Sequence, residues 1–310
     1  MSYEFWKGHG TENDFVLLPD LDGSIDLTPA RVRALCDRRA GIGGDGVLRV
    51  IRTASLVEEG ALRPLAPLVE EGALRPSAPL VEEGALRPSA PLVEEGALRP
   101  SRNQGTTQPE WFMDYRNCDG SVSEMCGNGI RVFARFLLDT GLVVEGPIEI
   151  GTRGGVKTVT VSGDELTADL GVARVLGETK VSAVGRTWPA VHVDLGNPHA
   201  VAFVDDLDEP GALLDPPAYD EGVYPDGVNV EFVVRRGPDH LAMRVHERGS
   251  GETRSCGTGA CAALVAAVPS GPASVRVDVP GGTLRVSRDE AGHVHLAGPA
   301  VIVARGTTDL

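Results

Sequence analysis

The sequence places a cysteine in the same glycine-rich turn twice, each time directly before an apolar stretch. Residues 116–138 read RNCDGSVSEMCGNGIRVFARFLL, and residues 246–267 read HERGSGETRSCGTGACAALVAA. A cysteine followed by Gly-small-Gly and an apolar run predicts a helix that begins at the cysteine. Because the second run is apolar on every side, its helix must lie inside a core. A chain that repeats this unit is predicted to contain two related halves.

Most of the remaining sequence alternates apolar and polar residues in short runs, the pattern of half-buried strands. Examples are GVLRVIRTA, EWFMDYRN, VKTVTVSGDELTADL, VNVEFVVRR and SVRVDVPGGTLRVSR. Helical patterns are fewer, and one of them is TPARVRALCDRRA, with Thr28 as its cap and Pro29 in its first turn. These patterns predict an α+β protein with long sheets and few helices.

Composition excludes several functional classes. The chain has 310 residues and a net charge of −15, whereas a nucleic-acid binder needs a basic surface. It shows neither an apolar run long enough for a membrane helix nor the pattern of a signal peptide. The cysteines number five, an odd count in a long chain, so reduced thiols and a cytoplasmic location are expected. His293 and His295 share a strand face, but without a third ligand no metal site is predicted.

Residues 56–101 contain four copies of a twelve-residue unit, LVEEGALRPSAP with minor variation. Each copy contains Gly and Pro, which prevent a long helix, and few apolar side chains that could form a core. We interpret this segment as a flexible or transiently helical insertion between two strands, without a role in the core of the fold.

The two cysteine turns have a chemical and a structural interpretation. A thiolate at a helix start is stabilised by unpaired backbone amides, and glycines let those amides approach an anion closely. Either cysteine alone is equally well explained as a small buried apolar residue. Two such turns in related halves would instead bring two sulfurs to opposite sides of one small ligand. A carbon held between them can lose a proton to one sulfur and regain one from the other, which inverts its configuration.

The sequence resembles the diaminopimelate epimerases, in the form found in actinobacteria. The resemblance runs through FWKGHGTENDFVLLPD, RRAGIGGDGVLRV, WFMDYRNCDGSVSEMCGNGIRVFARFLL, DLGNPHAVAFVDD, DGVNVEFV and HERGSGETRSCGTGACAA, which is nearly everything except the insertion. It implies cofactor-independent conversion of LL-2,6-diaminopimelate into the meso form, a step toward lysine and peptidoglycan. It also implies two pseudo-symmetric α/β halves, each a curled, mostly antiparallel sheet around a central helix, and a homodimer with a cytoplasmic location.

The resemblance assigns roles to individual residues. Cys126 and Cys256 match the two acid/base cysteines, and His199 and Glu247 match the polar neighbours that tune them. The matching substrate-binding positions are Asn13, Asn117, Gly127, Asn128, Asn197, Asn229, Glu247, Arg248, Gly257 and Thr258. Taken singly, these asparagines are also typical turn residues, and the Glu–Arg pair could be an ordinary pair at a strand end.

The sequence departs from the family at three places. Cys118 stands where the family has a small Ala or Ser, Gly46 stands where many relatives have Gln, and the insertion at 56–101 precedes the first cysteine turn. Any substrate contact at Gly46 would have to come from backbone. We assign Cys36 and Cys261 to packing, because both lie in helical patterns.

The expected first half covers residues 1–172 plus 298–310, and the second covers 173–297, with the site in the cleft between them. Three alternative functions remain open from sequence. The first is an epimerase for another amino acid such as proline or hydroxyproline. The second is a thiol–disulfide switch built on the two sulfurs, and the third is an amino-acid binding module without catalysis.

Overall fold

The protein is a curled β-sheet that encloses two helices. A computed structural model describes residues 2–58, 108–144 and 146–309, which form one hydrogen-bonded sheet of 18 strands and four helices. The elements in the first part of the chain are β1 (Tyr3–Gly10), β2 (Asn13–Pro19), α1 (Pro29–Cys36), β3 (Gly46–Arg52), α2 (Thr53–Glu58), β4 (Trp111–Asn117), α3 (Gly127–Asp139), β5 (Ile148–Thr152), β6 (Gly155–Ser162) and β7 (Glu165–Val172). The later elements are β8 (Arg174–Ala183), β9 (Arg186–Asp194), β10 (Pro198–Phe203), β11 (Ala218–Tyr219), β12 (Asn229–Gly237), β13 (His240–Glu247), β14 (Gly251–Thr253), α4 (Gly257–Ala267), β15 (Ala273–Val279), β16 (Gly282–Arg288), β17 (His293–Pro299) and β18 (Val301–Thr308).

The order of strand pairing repeats in the two parts of the sheet. Strands β1 to β7 pair in sequence as antiparallel, parallel, antiparallel, parallel, antiparallel and antiparallel. Strands β9, β10, β12, β13, β15, β16 and β17 pair in the same sequence of directions. At the outer edges β18 joins β1 and β8 joins β9, both antiparallel, while β17 pairs with β7 and joins the two parts. The predicted pseudo-symmetric, mostly antiparallel architecture is confirmed.

Each half encloses one long helix. Helix α3 packs on β1, β2, β7 and β18, whereas α4 packs on β9, β10, β12 and β16. All side chains of α4 from its start to Val265 are buried, as its uniformly apolar sequence predicts. We propose the division into residues 1–172 plus 298–310 and residues 173–297, whose last boundary lies inside β17, between Ala297 and Gly298.

Two details differ from the sequence patterns. The strand predicted to run through Thr53 ends at Arg52, and the short helix α2 begins at Thr53. The segment 56–101 was expected to lie outside the core, but its first residue, Leu56, lies on this helix and is buried against Ile51 and Phe112. Beyond Glu58, the twelve-residue units lie outside the described residues. In the described parts of the chain, no helix combines the length and the apolar character needed to cross a lipid bilayer.

Candidate active site

Helices α3 and α4 begin in the same way, each with a cysteine as its cap. Cys126 and Cys256 both have extended backbone, with φ/ψ of −139°/117° and −122°/116°. In each turn the sulfur accepts a hydrogen bond of 3.3 Å from a backbone amide three residues on, that of Gly129 or Gly259. The first amides of a helix have no partner within the helix, so each sulfur takes the position of a capping oxygen.

The two helix starts touch each other at Gly127 and Gly257. A Cβ on Gly127 would lie 3.2 Å from the Gly257 carbonyl carbon and from the Thr258 nitrogen. A Cβ on Gly257 would lie only 2.9 Å from the Asn128 nitrogen and from the Gly127 carbonyl carbon. These contacts are with backbone, which cannot move aside as a flexible side chain would. Glycine at both positions is therefore what lets the two capped ends meet.

Cys126 and Cys256 both line one cavity at this junction. Its lining consists of Asn13, Tyr115, Asn117, Ser123, Met125, Cys126, Gly127, Asn197, Asn229, Glu247, Arg248, Cys256, Gly257 and Thr258. Two of the predicted site residues do not line it. His199 is fully buried behind Asn197, and the Asn128 side chain is fully buried under Asn13.

On the Cys126 side, an amide oxygen faces the sulfur. Asn13 Oδ1 lies 3.9 Å from Cys126 Sγ and accepts a hydrogen bond of 3.2 Å from Asn128 Nδ2. The amide is held in this orientation because Asn13 Nδ2 donates to Asp45 Oδ2 at 2.7 Å, and a carboxylate only accepts. Arg38 in turn pairs with Asp45 at 2.7 Å. The Cys126 thiol therefore has an acceptor in front of it.

On the Cys256 side, a hydroxyl faces the sulfur. Thr258 Oγ1 lies 3.5 Å from Cys256 Sγ and 3.2 Å from Asn197 Nδ2. Behind Asn197 stands His199, whose Nδ1 contacts Glu231 Oε1 at 2.7 Å. Glu231 was not among the residues that the sequence pointed to.

Glu247 and Arg248 follow each other at the end of β13 and reach the cavity together. Thr253 donates a hydrogen bond to the Glu247 carboxyl. The Arg248 backbone amide donates to Asn229 Oδ1 at 3.0 Å, which fixes the turn. Its guanidinium donates to the Asp226 carbonyl at 3.4 Å and lies 3.6 Å from Glu124 at the rim. The remaining predicted residue, Asn117, lines the cavity opposite and donates to Ser121 Oγ at 2.9 Å.

Burial dominates the protonation of these groups. It raises the pKa of Cys126 to about 12, and the Glu247 carboxyl adds to the rise. Burial also raises the pKa of Cys256 well above its ordinary value, again with contributions from Glu247 and Glu231. The helix amides lower both values but by less, so the stabilised thiolates expected from the helix starts are outweighed by desolvation. An added positive charge would be needed in the cavity to favour a thiolate.

The carboxyl of Glu247 should give the protein a measurable pH dependence of stability. Burial raises its pKa from 4.5 to about 7. Between these two pH values the unfolded chain releases the proton more readily than the native protein, so the native state loses stability as pH rises through the interval. Relative to a Glu247→Gln variant, the wild type should lose a few kcal/mol at most, at about 1.4 kcal/mol per pKa unit. Urea unfolding of both proteins at about pH 5 and about pH 8 measures the difference, and parallel stabilities would contradict it.

The other three cysteines lie outside the cavity lining. Cys36 and Cys261 are buried in apolar clusters, which confirms the prediction that they serve packing. Cys118 is partly exposed, and its sulfur lies 3.9 Å from the Gly249 carbonyl oxygen. No disulfide joins any of the five, all of which are described.

Some lining residues were missed by sequence reasoning. Tyr115, Ser123 and Met125 contribute to the cavity wall without belonging to a predicted role. A Cβ on Gly46 would lie 2.6 Å from the Tyr115 ring and 2.5 Å from the Arg116 carbonyl oxygen. Position 46 therefore has no room for a side chain because the tyrosine ring fills it.

Comparison with known proteins points to a single family. The family profile described as Diaminopimelate epimerase matches residues 102–176 and 191–303. The diaminopimelate epimerase of Streptomyces coelicolor is 50% identical, over 98% of this chain and 95% of that protein. Those of Thermobifida fusca and Rhodococcus opacus are 44% and 42% identical, each over 99% of this chain and over 98% and 97% of their own lengths.

Solved structures share the fold at low sequence identity. A Bacillus anthracis phenazine biosynthesis protein of the PhzF family has a TM-score of 0.63 at 12% identity, over the whole of both chains. A hydroxyproline epimerase from Agrobacterium vitis has a TM-score of 0.58 at 12% identity, over 99% of this chain and 92% of its own. These similarities establish the architecture and nothing about the substrate.

Proposed function

The chain belongs to the diaminopimelate epimerase family, and we propose that it interconverts LL- and meso-2,6-diaminopimelate. The proposal rests on one observation: Cys126 and Cys256 line the same cavity, at two helix starts that touch. An α-carbon between the sulfurs would be exposed to an acid/base group on each face. That is the arrangement needed to invert a stereocentre by proton transfer.

The reaction consists of two proton transfers, after which the protein holds as many protons as before. The sulfur that begins as a thiolate takes the α-hydrogen as a proton, and the electron pair of the C–H bond stays on the substrate, delocalised into its carboxylate. The thiol on the other face then gives its proton to that carbon and becomes the thiolate. After one turnover the roles of Cys126 and Cys256 are exchanged, which suits the reverse reaction.

The substrate itself brings a positive charge that would favour the thiolate form of the two cysteines. Both thiols have raised pKa values because they are buried beside carboxyl groups. The α-ammonium of a bound diamino diacid would bring a positive charge between them and lower these pKa values. We expect backbone amides at Gly127–Asn128 and Gly257–Thr258 to face the carboxylate in which negative charge develops. Glu247 and His199 act on the protonation of the sulfurs without replacing them.

Polar residues around the cavity are suited to the two ends of the substrate. Arg248 can hold a carboxylate with two parallel hydrogen bonds. The amides of Asn13, Asn117, Asn197 and Asn229 can donate and accept without adding charge to a buried site. A substrate with two ammonium and two carboxylate groups needs such a mixture of partners.

Three broader statements rest on the family resemblance. We propose a place in the biosynthesis of lysine and peptidoglycan precursors, a homodimer and a cytoplasmic location. Sedimentation of the purified protein tests the second of these directly.

Incubation with LL-diaminopimelate in deuterated water tests the proposed reaction. The meso product should carry one deuterium at the inverted α-carbon, because that carbon receives its new proton from a thiol in exchange with solvent. Proline and trans-4-hydroxyproline serve as comparison substrates and should remain undeuterated. Deuterium in those amino acids but not in diaminopimelate would replace the proposed substrate, and no deuterium in diaminopimelate would refute the proposed reaction.

A further inference from the structure

A continuous chain of hydrogen bonds joins a buried carboxyl group to one catalytic sulfur. Glu231 Oε1 contacts His199 Nδ1 at 2.7 Å, and His199 Nε2 contacts Asn197 Oδ1 at 3.1 Å. Asn197 Nδ2 then contacts Thr258 Oγ1 at 3.2 Å, and Thr258 Oγ1 lies 3.5 Å from Cys256 Sγ. Glu231 and His199 are fully buried and stand outside the cavity lining.

The amide of Asn197 gives this chain a direction. Its oxygen faces His199, so His199 Nε2 must carry a hydrogen and donate it. Its nitrogen faces Thr258 and can only donate, so Thr258 Oγ1 accepts. The hydroxyl hydrogen of Thr258 is then free to point at Cys256 Sγ.

The protonation of the Glu231–His199 pair determines whether the hydrogen bonds keep their direction toward Cys256. Glu231 Oε1 and His199 Nδ1 are only 2.7 Å apart, so one hydrogen must lie between them in addition to the one on Nε2, and a pair that holds these two hydrogens has no net charge. A neutral pair is what a fully buried position favours, and burial raises the pKa of Glu231 accordingly. Glu231 Oε2 has no hydrogen-bond partner among the described residues. Without a group at position 231, His199 could carry its hydrogen on Nδ1 and the whole chain could reverse.

The partner cysteine has the opposite surroundings. Asn13 Oδ1, an acceptor, faces Cys126 Sγ at 3.9 Å and is kept in place by Asp45. The pseudo-symmetric halves therefore differ at their sulfurs: one faces an acceptor, and the other faces a hydroxyl that can donate.

We propose that Glu231 is a positioning residue that, through His199, keeps the chain directed toward Cys256. The hydroxyl of Thr258 then stabilises the thiolate of Cys256 each time that sulfur loses its proton. An ionised carboxyl acts in the other direction and favours the Cys256 thiol, whether it belongs to Glu247 or to Glu231. For Glu231, the hydrogen shared with His199 keeps the pair neutral, so that the directed hydrogen bonds remain as its effect on the sulfur. The inference rests on the proposed two-cysteine reaction, but it concerns the sulfur itself and can be tested without substrate.

The test compares Glu231→Met, Thr258→Val and the double variant. Glu231→Met should lower kcat by about tenfold with little change in KM, since a hydrogen bond to a charged group is lost. The same loss should appear in both directions of the reaction, because the equilibrium constant is fixed. In the Thr258→Val background, Glu231→Met should cause no further loss, whereas Glu231→Gln, which keeps a hydrogen-bonding group beside His199, should retain more activity than Glu231→Met.

A substrate-free measurement separates this inference from the proposed function. Iodoacetamide alkylates thiolates, and mass spectrometry gives the ratio of the rates at Cys256 and Cys126. Glu231→Met should lower this ratio by about tenfold. Asp114→Asn, which removes a buried carboxylate paired with Arg116 and Arg153, is the matched control and should leave the ratio unchanged. An unchanged ratio in Glu231→Met, or multiplicative losses in the double variant, would overturn the proposal; a wild type without epimerase activity would refute only the proposed function.

Discussion

Alanine at position 126 or 256 should lower the rate of inversion of diaminopimelate by at least about 10²–10⁴-fold, the contribution of a positioned acid or base. Each sulfur serves one face of the α-carbon, and no other thiol lines the cavity within the described residues. In D₂O the two variants should differ in the substrate isomer whose α-hydrogen they still exchange. The remaining sulfur can still remove and return a proton on its own face, so slow exchange with retained configuration should survive for only one isomer of the substrate.

Exchange and inversion must therefore be measured separately for LL- and meso-diaminopimelate, by mass spectrometry and chiral chromatography. Cys118→Ala is the matched control, because Cys118 is a partly exposed thiol outside the cavity lining. It should keep wild-type inversion. Wild-type inversion in Cys126→Ala or Cys256→Ala would show that the two sulfurs are not the proton carriers.

The parts of the fold that could be predicted from sequence are those where burial is decided locally. The apolar sequence of α4 allowed one outcome only, a helix inside a core. The strands that sequence reasoning missed lack such a pattern. β8 is mostly exposed, so it shows no alternating buried face. β1 contains Gly8, where a Cβ would lie 2.8 Å from Val132 Cγ1 of α3. Because this close contact requires glycine, the position lacks the apolar side chain that would have shown the alternating pattern of a strand.

The residues of the site likewise include some that local sequence predicts and some that it does not. The cysteine turns are local, so their sequence predicts both the helix starts and the backbone amides that have no partner within the helix. Glu231 lies on β12, in an alternating sequence where a polar residue is expected to face solvent, yet it is fully buried. Its partner His199 lies on β10, and only the parallel pairing of β10 with β12 brings the two together. Such a pair depends on the assembled sheet and leaves no local mark in the sequence.

Alanine at Gly257 should lower both stability and activity, because it separates the two helix starts. The new Cβ would lie 2.9 Å from backbone atoms of Gly127 and Asn128 and 2.6 Å from Leu296 Cδ2. Overpacking of this kind destabilises a core by about 1–3 kcal/mol. Displacing one sulfur by about 1 Å should lower the rate of inversion by about 100-fold.

The sign of the stability change in Gly257→Ala distinguishes the two possibilities. At an unhindered helix position, replacing glycine with alanine stabilises the helix by about 1 kcal/mol. A loss of stability in Gly257→Ala must therefore come from the crowded contacts of the new Cβ, with the backbone of the other helix start and with Leu296. Gly237→Ala is the control, since its Cβ would lie 3.7 Å from His240 Cβ, an ordinary contact. Urea unfolding and deuterium incorporation measure the two effects, and a Gly257→Ala protein with unchanged stability and rate would mean that the helix starts do not meet in the working enzyme.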